Sequence, residues 1–533
     1  MVNPRGVFSS FMFCLRCLAT PPVRRGCLET RHSSFPAELN GVYSAGKECF
    51  NYMLFNSLEF MLFLPIAFAG YWLLSRHLRL QNLFVVVASY VFYGWWDWRF
   101  LILIAFTSLW SFVFGLFELN ALPRSLASKM RLALSCVINL GILGYFKYCD
   151  FFVSQAVSLL RCLGVDAHVN SLNVILPVGI SFYTFQALSY TIDVYRRSII
   201  PTKDPIAFFA FISFFPQLVA GPIERATNLL PQFLKPRMFD YSTAVDGCRQ
   251  MLWGVLKKCV VADRFAAVAN AVFSNGGGAG SGTLLVGAVA FSVQIYGDFS
   301  GYSDIAIGCG RLFGIRLMKN FDTPYFSRDI AEFWRRWHIS LTTWFRDYLY
   351  IPLGGSRCSM LMRIRNTFVI FLVSGFWHGA NWTFIIWGVF HAMCFLPLML
   401  LGRNRKHISG DGRDVLSLKS CMGIAITFTC VAFGWMIFRA PDIETLVDWW
   451  SVLFSWQGWE DCFRGLPRTI GLKDCLSLGC VFFVWEWWTR THPCPLFVLP
   501  RRRLARWLVY FAVMVVIFVY MPDAGQEFIY FQF

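Results

Sequence analysis

RDIAEFWRRWHISLTTWFRDYLYIPLGGSR runs from Arg328 to Arg357, and after CSMLMRIR the chain continues as NTFVIFLVSGFWHGANWTFIIWGVFH from Asn366 to His391. His338 and His378 lie inside segments whose other residues suit hydrocarbon. In the first segment Trp334, His338, Leu341 and Phe345 recur at helical spacing, so a continuous helix puts them on one face, with Arg335, Arg336, Arg346 and Asp347 off it. The second segment belongs to an apolar run from Thr367 to Leu401 that is interrupted around SGFWHGAN. Helical spacing there gives Ser374, His378 and Asn381 a shared face, with Trp377 beside it. An ionisable side chain at membrane depth is costly and marks a functional site by default.

Composition decides whether this depth is membrane depth. Hydrophobic residues make up 56% of the chain and charged residues 15%, with a mean hydropathy of +0.52. Soluble domains average roughly 45–50% and about 25%, so the sequence reads as an all-α polytopic membrane protein. Apolar windows of crossing length fall near 56–75, 81–97, 99–119, 131–148, 172–192, 206–221, 246–272, 283–310, 366–401, 415–438, 473–488 and 505–521. They predict about 10–13 crossings. The window from Thr367 is long enough for a steeply tilted span or a broken pair.

The formal net charge of +17 does not point to nucleic acid. The lysines and arginines sit in short links between apolar windows, at 124–131, 196–203, 235–237, 357–365, 403–407 and 501–506. Such links face the cytoplasm and meet lipid headgroups. The 18 cysteines offer no metal framework, since Cys14 and Cys17 form a CxxC pair that no second pair answers. Residues 1–52 carry Arg and Cys clusters and an apolar patch too short to span. They read as a poorly ordered extension, or as untranslated sequence if synthesis begins at Met53, ahead of a single membrane domain over 53–533 with its core at about 290–400.

Several apolar windows are interrupted. LPVGISFYTFQ breaks at Pro177 and Gly179 and sets Ser181, Tyr183, Thr184 and Gln186 in line, while FFPQLVAGPIER repeats the device before the ion-pair candidates Glu224 and Arg225. A helix broken at membrane depth needs its backbone groups satisfied by protein or a wet cavity. Lys147 and Asp150, three apart, can pair on a helix. NGGGAGSGT, from Asn275, lacks the closing Lys-Ser/Thr of a phosphate loop and reads as a flexible external loop. QIYGDFSGYSDIAIG crowds Asp298, Ser300, Tyr302 and Asp304 into an apolar span. These residues either line a water or substrate path or pair with Arg311, Arg335 or Arg336.

Taken together, QIYGDFSGYSDIAIG, MKNFDTPYFSRDIAEFWRRWHISLTTWFRDYLYIPLGG and SGFWHGANWTFIIWGVFH resemble the membrane-bound O-acyltransferase family. MLFNSLEF, LPVGISFYTFQ, FFPQLVAGPIER and the ending FIYFQF extend the likeness over about 53–533. It is strongest to the bacterial branch that serves alginate and peptidoglycan O-acetylation and, more distantly, teichoic acid D-alanylation. The resemblance implies a ring of tilted helices with re-entrant segments around a central funnel, in the bacterial inner membrane. It implies that His378 is catalytic and that His338 is its polar partner. His391 also matches a family histidine, but thirteen positions beyond His378 it lies about 220 degrees round a straight helix, which leaves it a supporting role at most.

The chemistry of acyl transfer agrees. A hydroxyl attacking a thioester needs a base for its proton, for which neutral imidazole is suited, and donors for the oxyanion. Such donors are often worth ~3–4 kcal/mol. His378 fits the first task, and His338 with Asn381 or a backbone N–H fits the second. No GxSxG elbow suggests a serine acyl-enzyme. The expected activity is transfer of acetyl from a cytoplasmic donor, acetyl-CoA, for O-acetylation of a secreted polysaccharide such as alginate. Peptidoglycan is the alternative acceptor, and a polysaccharide permease or transporter, or an assembly scaffold, are the alternatives from other classes. No bound cofactor or metal is expected. A separate extracytoplasmic acetyltransferase of the SGNH-hydrolase kind is the expected partner, and Arg363 and Arg365 are the candidates for the donor phosphates.

Overall fold

The structure is a computed structural model. It describes residues 53–533 apart from 124, 166–173, 220, 275–277, 408–416, 467–470, 522–527 and 530–533. The expectations for residues 1–52, and for the start of the glycine-rich loop at Asn275, fall outside the described residues. All regular structure among the described residues is helical: α1 (Leu58–Leu73), α2 (Leu78–Gly94), α3 (Leu101–Glu118), α4 (Leu126–Cys162), α5 (Ile180–Tyr195), α6 (Pro205–Ser213), α7 (Phe215–Leu218), α8 (Ala226–Phe233), α9 (Tyr241–Leu256), a π-turn (Lys257–Ala262), α10 (Asp263–Ser274) and α11 (Ser281–Leu312). The chain continues through α12 (Ile330–Arg336), α13 (Ile339–Phe345), a π-turn (Arg346–Tyr350), α14 (Met360–His378), α15 (Trp382–Leu400), α16 (Leu418–Arg439), α17 (Ile443–Phe454), α18 (Trp456–Glu460), α19 (Leu472–Thr489) and α20 (Arg503–Tyr520). Side-chain caps define many of the starts: Ser57, Ser125, Asp204, Asp240, Asp329, Ser359, Asn381 and Ser417 each accept a hydrogen bond from an otherwise orphaned amide of the first turn.

Seven of the described helices are long and apolar enough to cross a membrane, and α1 is a shorter apolar one. The other windows predicted as crossings form helices that are shorter, interrupted or more polar. Helix α11 lies at the centre: 83% of its apolar window is buried, against 6% for α20. Against it packs α9, through glycines on both helices. A Cβ at Gly254 would stand 2.5 Å from the Gly301 carbonyl oxygen, and one at Gly247 would stand 2.6 Å from that of Gly308. Without a hydrophobic force between helices in lipid, such small-residue contacts are what allow close van der Waals packing.

The interrupted segments are satisfied internally. Helix α5 begins only at Ile180, after Gly179 in the left-handed region (φ 75°), so the span predicted from 172 starts eight residues late. The backbone turns after α6, and its freed Phe211 carbonyl accepts from Gln186 Nε2 (2.7 Å) and Gln217 Nε2 (3.0 Å). Glu224 and Arg225 turn to other partners: Glu224 accepts from Asn228 (2.7 Å) and the Met318 amide, and Arg225 pairs with Asp347. The chain end is tied in by the Ile529 amide, which donates to Asp298 (2.8 Å).

Candidate functional site

Two helix breaks set the histidines, and both correct the sequence reading. The segment 328–345 is not one helix. Helix α12 ends at Arg336, Trp337 is extended, and His338 adopts the left-handed conformation (φ 43°, ψ 55°) as the residue preceding α13. The predicted common face of Trp334, His338, Leu341 and Phe345 is therefore cut. Trp334 packs on His391, while His338 turns to Phe299 (ring centroids 4.7 Å apart), Phe321 and Trp377. A non-glycine residue in this region costs about 1–2 kcal/mol. Asn320 holds the turn: its carbonyl accepts from the Ile339 amide (2.8 Å) and its side-chain oxygen from the Ser340 hydroxyl (2.9 Å).

The apolar run from Thr367 is a broken pair. α14 ends on His378, Gly379 and Ala380 are non-helical, and Asn381 caps α15. Two close approaches seal the hairpin. A Cβ at Gly375 would stand 2.2 Å from the Phe384 carbonyl oxygen, and one at Gly388 would stand 2.3 Å from that of Phe371. Ser374 and His378 keep a common face one turn apart on α14, but Asn381 does not share it. Its side chain accepts from the Thr383 amide (3.1 Å) and donates to the Pro441 carbonyl (2.5 Å), a capping task that occupies both of its ends.

His378 is buried among Trp377, Trp387 and Phe438, with ring centroids at 5.0, 5.3 and 5.2 Å. His338, 1% exposed, has no hydrogen-bond partner for either ring nitrogen among the described residues. Trp377 contacts both, 5.9 Å from His338 and 5.0 Å from His378. His391 returns on α15 to the other side of Trp387 (4.9 Å), boxed by Trp334 and Phe390. Its distance round a single straight helix is thus not the relevant measure. The imidazoles of His338 and His378 are both buried in largely aromatic surroundings.

The polar residues of α11 divide into two kinds. The π-turn points Lys257 and Lys258 inward. Lys257 pairs with Asp304 (3.1 Å) and Glu486 (3.2 Å), and Lys258 with Asp263 (3.0 Å) and Asp298 (2.9 Å). The cations are lysines and not the expected Arg311, Arg335 or Arg336. The twin Lys-Lys inside the window 246–272 was the available signal. Tyr302 is stacked between Phe55 and Phe528. Ser300 and Asp304, with Lys257, Asn320 and Phe321, line a cavity of about 110 Å³. Because Phe321 also packs on His338, this polar cavity adjoins the histidine site.

Arg363 lines a second cavity of about 550 Å³ with Arg357, Arg405, Tyr350, Ser356 and Asn404. Arg365 is not in its lining. That guanidinium donates to the Asn366 side chain (2.8 Å) and the Leu353 carbonyl (3.3 Å). Sequence reading missed Arg405 as a companion because it comes from a different link, 403–407, brought beside Arg357 and Arg363 by the α14–α15 hairpin. Among the described residues no group of three or more His, Cys, Asp or Glu side chains is placed to hold a metal ion.

Two buried histidines at helix breaks thus lie inside the glycine-packed helical core of a polytopic membrane protein. Residues 195–438 match the model of MBOAT, the membrane-bound O-acyltransferase family. A Pseudomonas aeruginosa protein named as a probable alginate O-acetylase is 42% identical over 409 residues, 76% of this chain and 76% of the relative. A Helicobacter pylori peptidoglycan O-acetyltransferase is 33% identical over 74% of this chain and 78% of its own. A Streptococcus thermophilus teichoic acid D-alanyltransferase is 32% identical over 49% of this chain and 68% of its own. The chain belongs to the membrane-bound O-acyltransferase family: it is an O-acyltransferase and a multi-pass protein of the bacterial inner membrane.

Proposed function

We propose that the chain takes acetyl from cytoplasmic acetyl-CoA and passes it across the membrane for O-acetylation of an exported polysaccharide, alginate or a close relative. The observation that carries this reading is the placement of His338 and His378 against the same indole, Trp377, in a buried site between helix ends. In this reading His378 takes the proton of the incoming hydroxyl as its oxygen attacks the thioester carbonyl. His338 donates to the oxyanion, and collapse of the tetrahedral intermediate expels the thiolate, which receives the proton. Ser374 precedes His378 by one turn of α14, and Ser300 and Asp304 line the polar approach behind Phe321. His391 and Trp377 hold the aromatic walls.

The cavity with Arg357, Arg363 and Arg405 has the charge and donor geometry to take the phosphates of the donor. A separate extracytoplasmic acetyltransferase of the SGNH-hydrolase kind accepts the acetyl group or relays it to the glycan. Purified protein should release coenzyme A from acetyl-CoA, and His378→Gln should abolish this. Turnover retained by that variant would refute the assignment. Peptidoglycan is the second reading, favoured by the Helicobacter relative. The O-acetyl content of both polymers in a deletion strain decides between them.

A further inference from the structure

Helix α14 ends on His378, and its last carbonyls have no partner within the helix, so at membrane depth the protein has to supply donors. Neighbouring residues on α4 supply the donors. Lys147 Nζ donates to the Trp377 carbonyl oxygen at 2.7 Å, and Tyr148 Oη donates to that of Phe376 at 3.0 Å. The sequence spacing suggested a Lys147–Asp150 pair. Instead Lys147 is directed at α14, and Asp150 accepts from the Val174 amide (3.4 Å). The contact is more than two hydrogen bonds. The Tyr148 ring stacks on Phe376 with centroids 4.2 Å apart at 14°, and the ammonium of Lys147 lies 5.6 Å from the centre of the Trp377 indole.

We infer that Lys147 and Tyr148 are positioning residues for His378, a clamp from α4 that fixes where α14 stops and so where the imidazole points. The inference rests on the reading of His378 as the base. A cation at a helix C-terminus also complements the helix dipole. Lysine, with three donors on a flexible stem, can reach a carbonyl at the foot of the indole while its charge stays beside the ring. A cap on the Trp377 carbonyl holds the peptide plane that leads into His378, and with it the Cα from which the imidazole projects. The consecutive Lys147 and Tyr148 donors thus meet the consecutive Trp377 and Phe376 acceptors, and the alignment ends one residue short of His378.

The test uses full-length protein in lipid nanodiscs, with Lys147→Met, Lys147→Arg, Tyr148→Phe and His378→Gln. Two quantities are read: coenzyme A release from acetyl-CoA, and amide hydrogen exchange over 375–382. Lys147→Met and Tyr148→Phe should lower kcat by roughly 10- to 100-fold, as misplacement of a catalytic group does. KM should stay within about twofold, and exchange should rise only at the end of α14. Lys147→Arg, which keeps a cationic donor, should restore most of kcat. Tyr148→Phe removes only a hydroxyl and keeps the ring stacked, so it guards against loss of fold in the lysine variant. Unchanged exchange at 375–382 in both variants overturns the clamp whatever the activity. Raised exchange with wild-type kcat overturns its role in positioning. If His378→Gln alone keeps full turnover, the base assignment falls, and the exchange data still decide the clamp.

Discussion

The imidazole of His338 packs on the indole of Trp377 with centroids 5.9 Å apart and planes tilted by 56°, although 39 positions of chain separate them. His378 follows that indole directly. The site is thus assembled from two chain breaks, one in front of α13 and one behind α14, and each histidine reaches it from a helix end and not from a helix side.

His378→Gln preserves volume and one hydrogen-bonding group but cannot act as a base at neutral pH. Loss of general-base catalysis costs about 10²- to 10⁴-fold, so kcat should fall within that range while the melting temperature in detergent changes little. Because the ring is packed against Trp377, Trp387 and Phe438, His378→Ala should also lose stability. A glutamine variant that fails to accumulate would make His378 a packing residue.

His338 carries a backbone demand that its sequence context does not announce. In the left-handed region asparagine is well tolerated and alanine is strained. His338→Asn should therefore keep both the fold and part of the activity, and His338→Ala should lose both. His338→Gly relieves the backbone without restoring a donor. It should be as stable as the asparagine variant and as inactive as the alanine one, measured by thermal unfolding and coenzyme A release. Equal activity of the glycine and asparagine variants would remove the oxyanion argument.

The contrast between His338 and His378 shows what was legible. Hydropathy and the quoted motifs sufficed for a helical membrane acyltransferase and for the burial of both histidines, because an ionisable residue inside an apolar run stands out in the sequence. Helical periodicity was the wrong ruler across Trp337–His338 and across Gly379–Asn381. It assumes a continuous rod, and nothing local in WRRWHISL marks a left-handed residue. Long-range partners were also beyond reach: Lys257 and Lys258 find their acids through a π-turn that inserts into the helix and redirects two adjacent side chains inward.

The Lys258 cluster should prove structural. Its ammonium and the carboxylates of Asp263 and Asp298 are at most 4% exposed. Removing the cation leaves two buried acids without one, and breaking such a buried pair typically costs ~3–5 kcal/mol. Lys258→Met should thus unfold at markedly lower temperature in detergent. Lys258→Met with Asp298→Asn should recover part of the loss. A Lys258→Met protein of normal stability but without turnover would instead place this cluster on the substrate path.

The last prediction concerns the side of the membrane that meets the donor. Two of the basic links touch the stretch 335–356 that leads into a third, 357–365: Arg196 donates to the Asp347 carbonyl (3.1 Å), Arg405 to the Ser356 hydroxyl (3.1 Å), and the Asn404 carbonyl accepts from Arg335 (2.9 Å). They therefore lie on one face, and so concentrated a positive charge belongs on the cytoplasmic side. The cavity of Arg357, Arg363 and Arg405 opens among them, so Arg363→Gln with Arg405→Gln should raise KM for acetyl-CoA more than it lowers kcat. Arg365→Gln should do less, because that side chain is committed to Asn366 and Leu353. A cysteine at exposed Ser359, with Cys358 replaced, reports the side through a membrane-impermeant thiol reagent. Inverted vesicles should label and intact cells should not. Equal labelling from outside would put this face in the periplasm, where no coenzyme A thioester is available, and the donor assignment would fall with it.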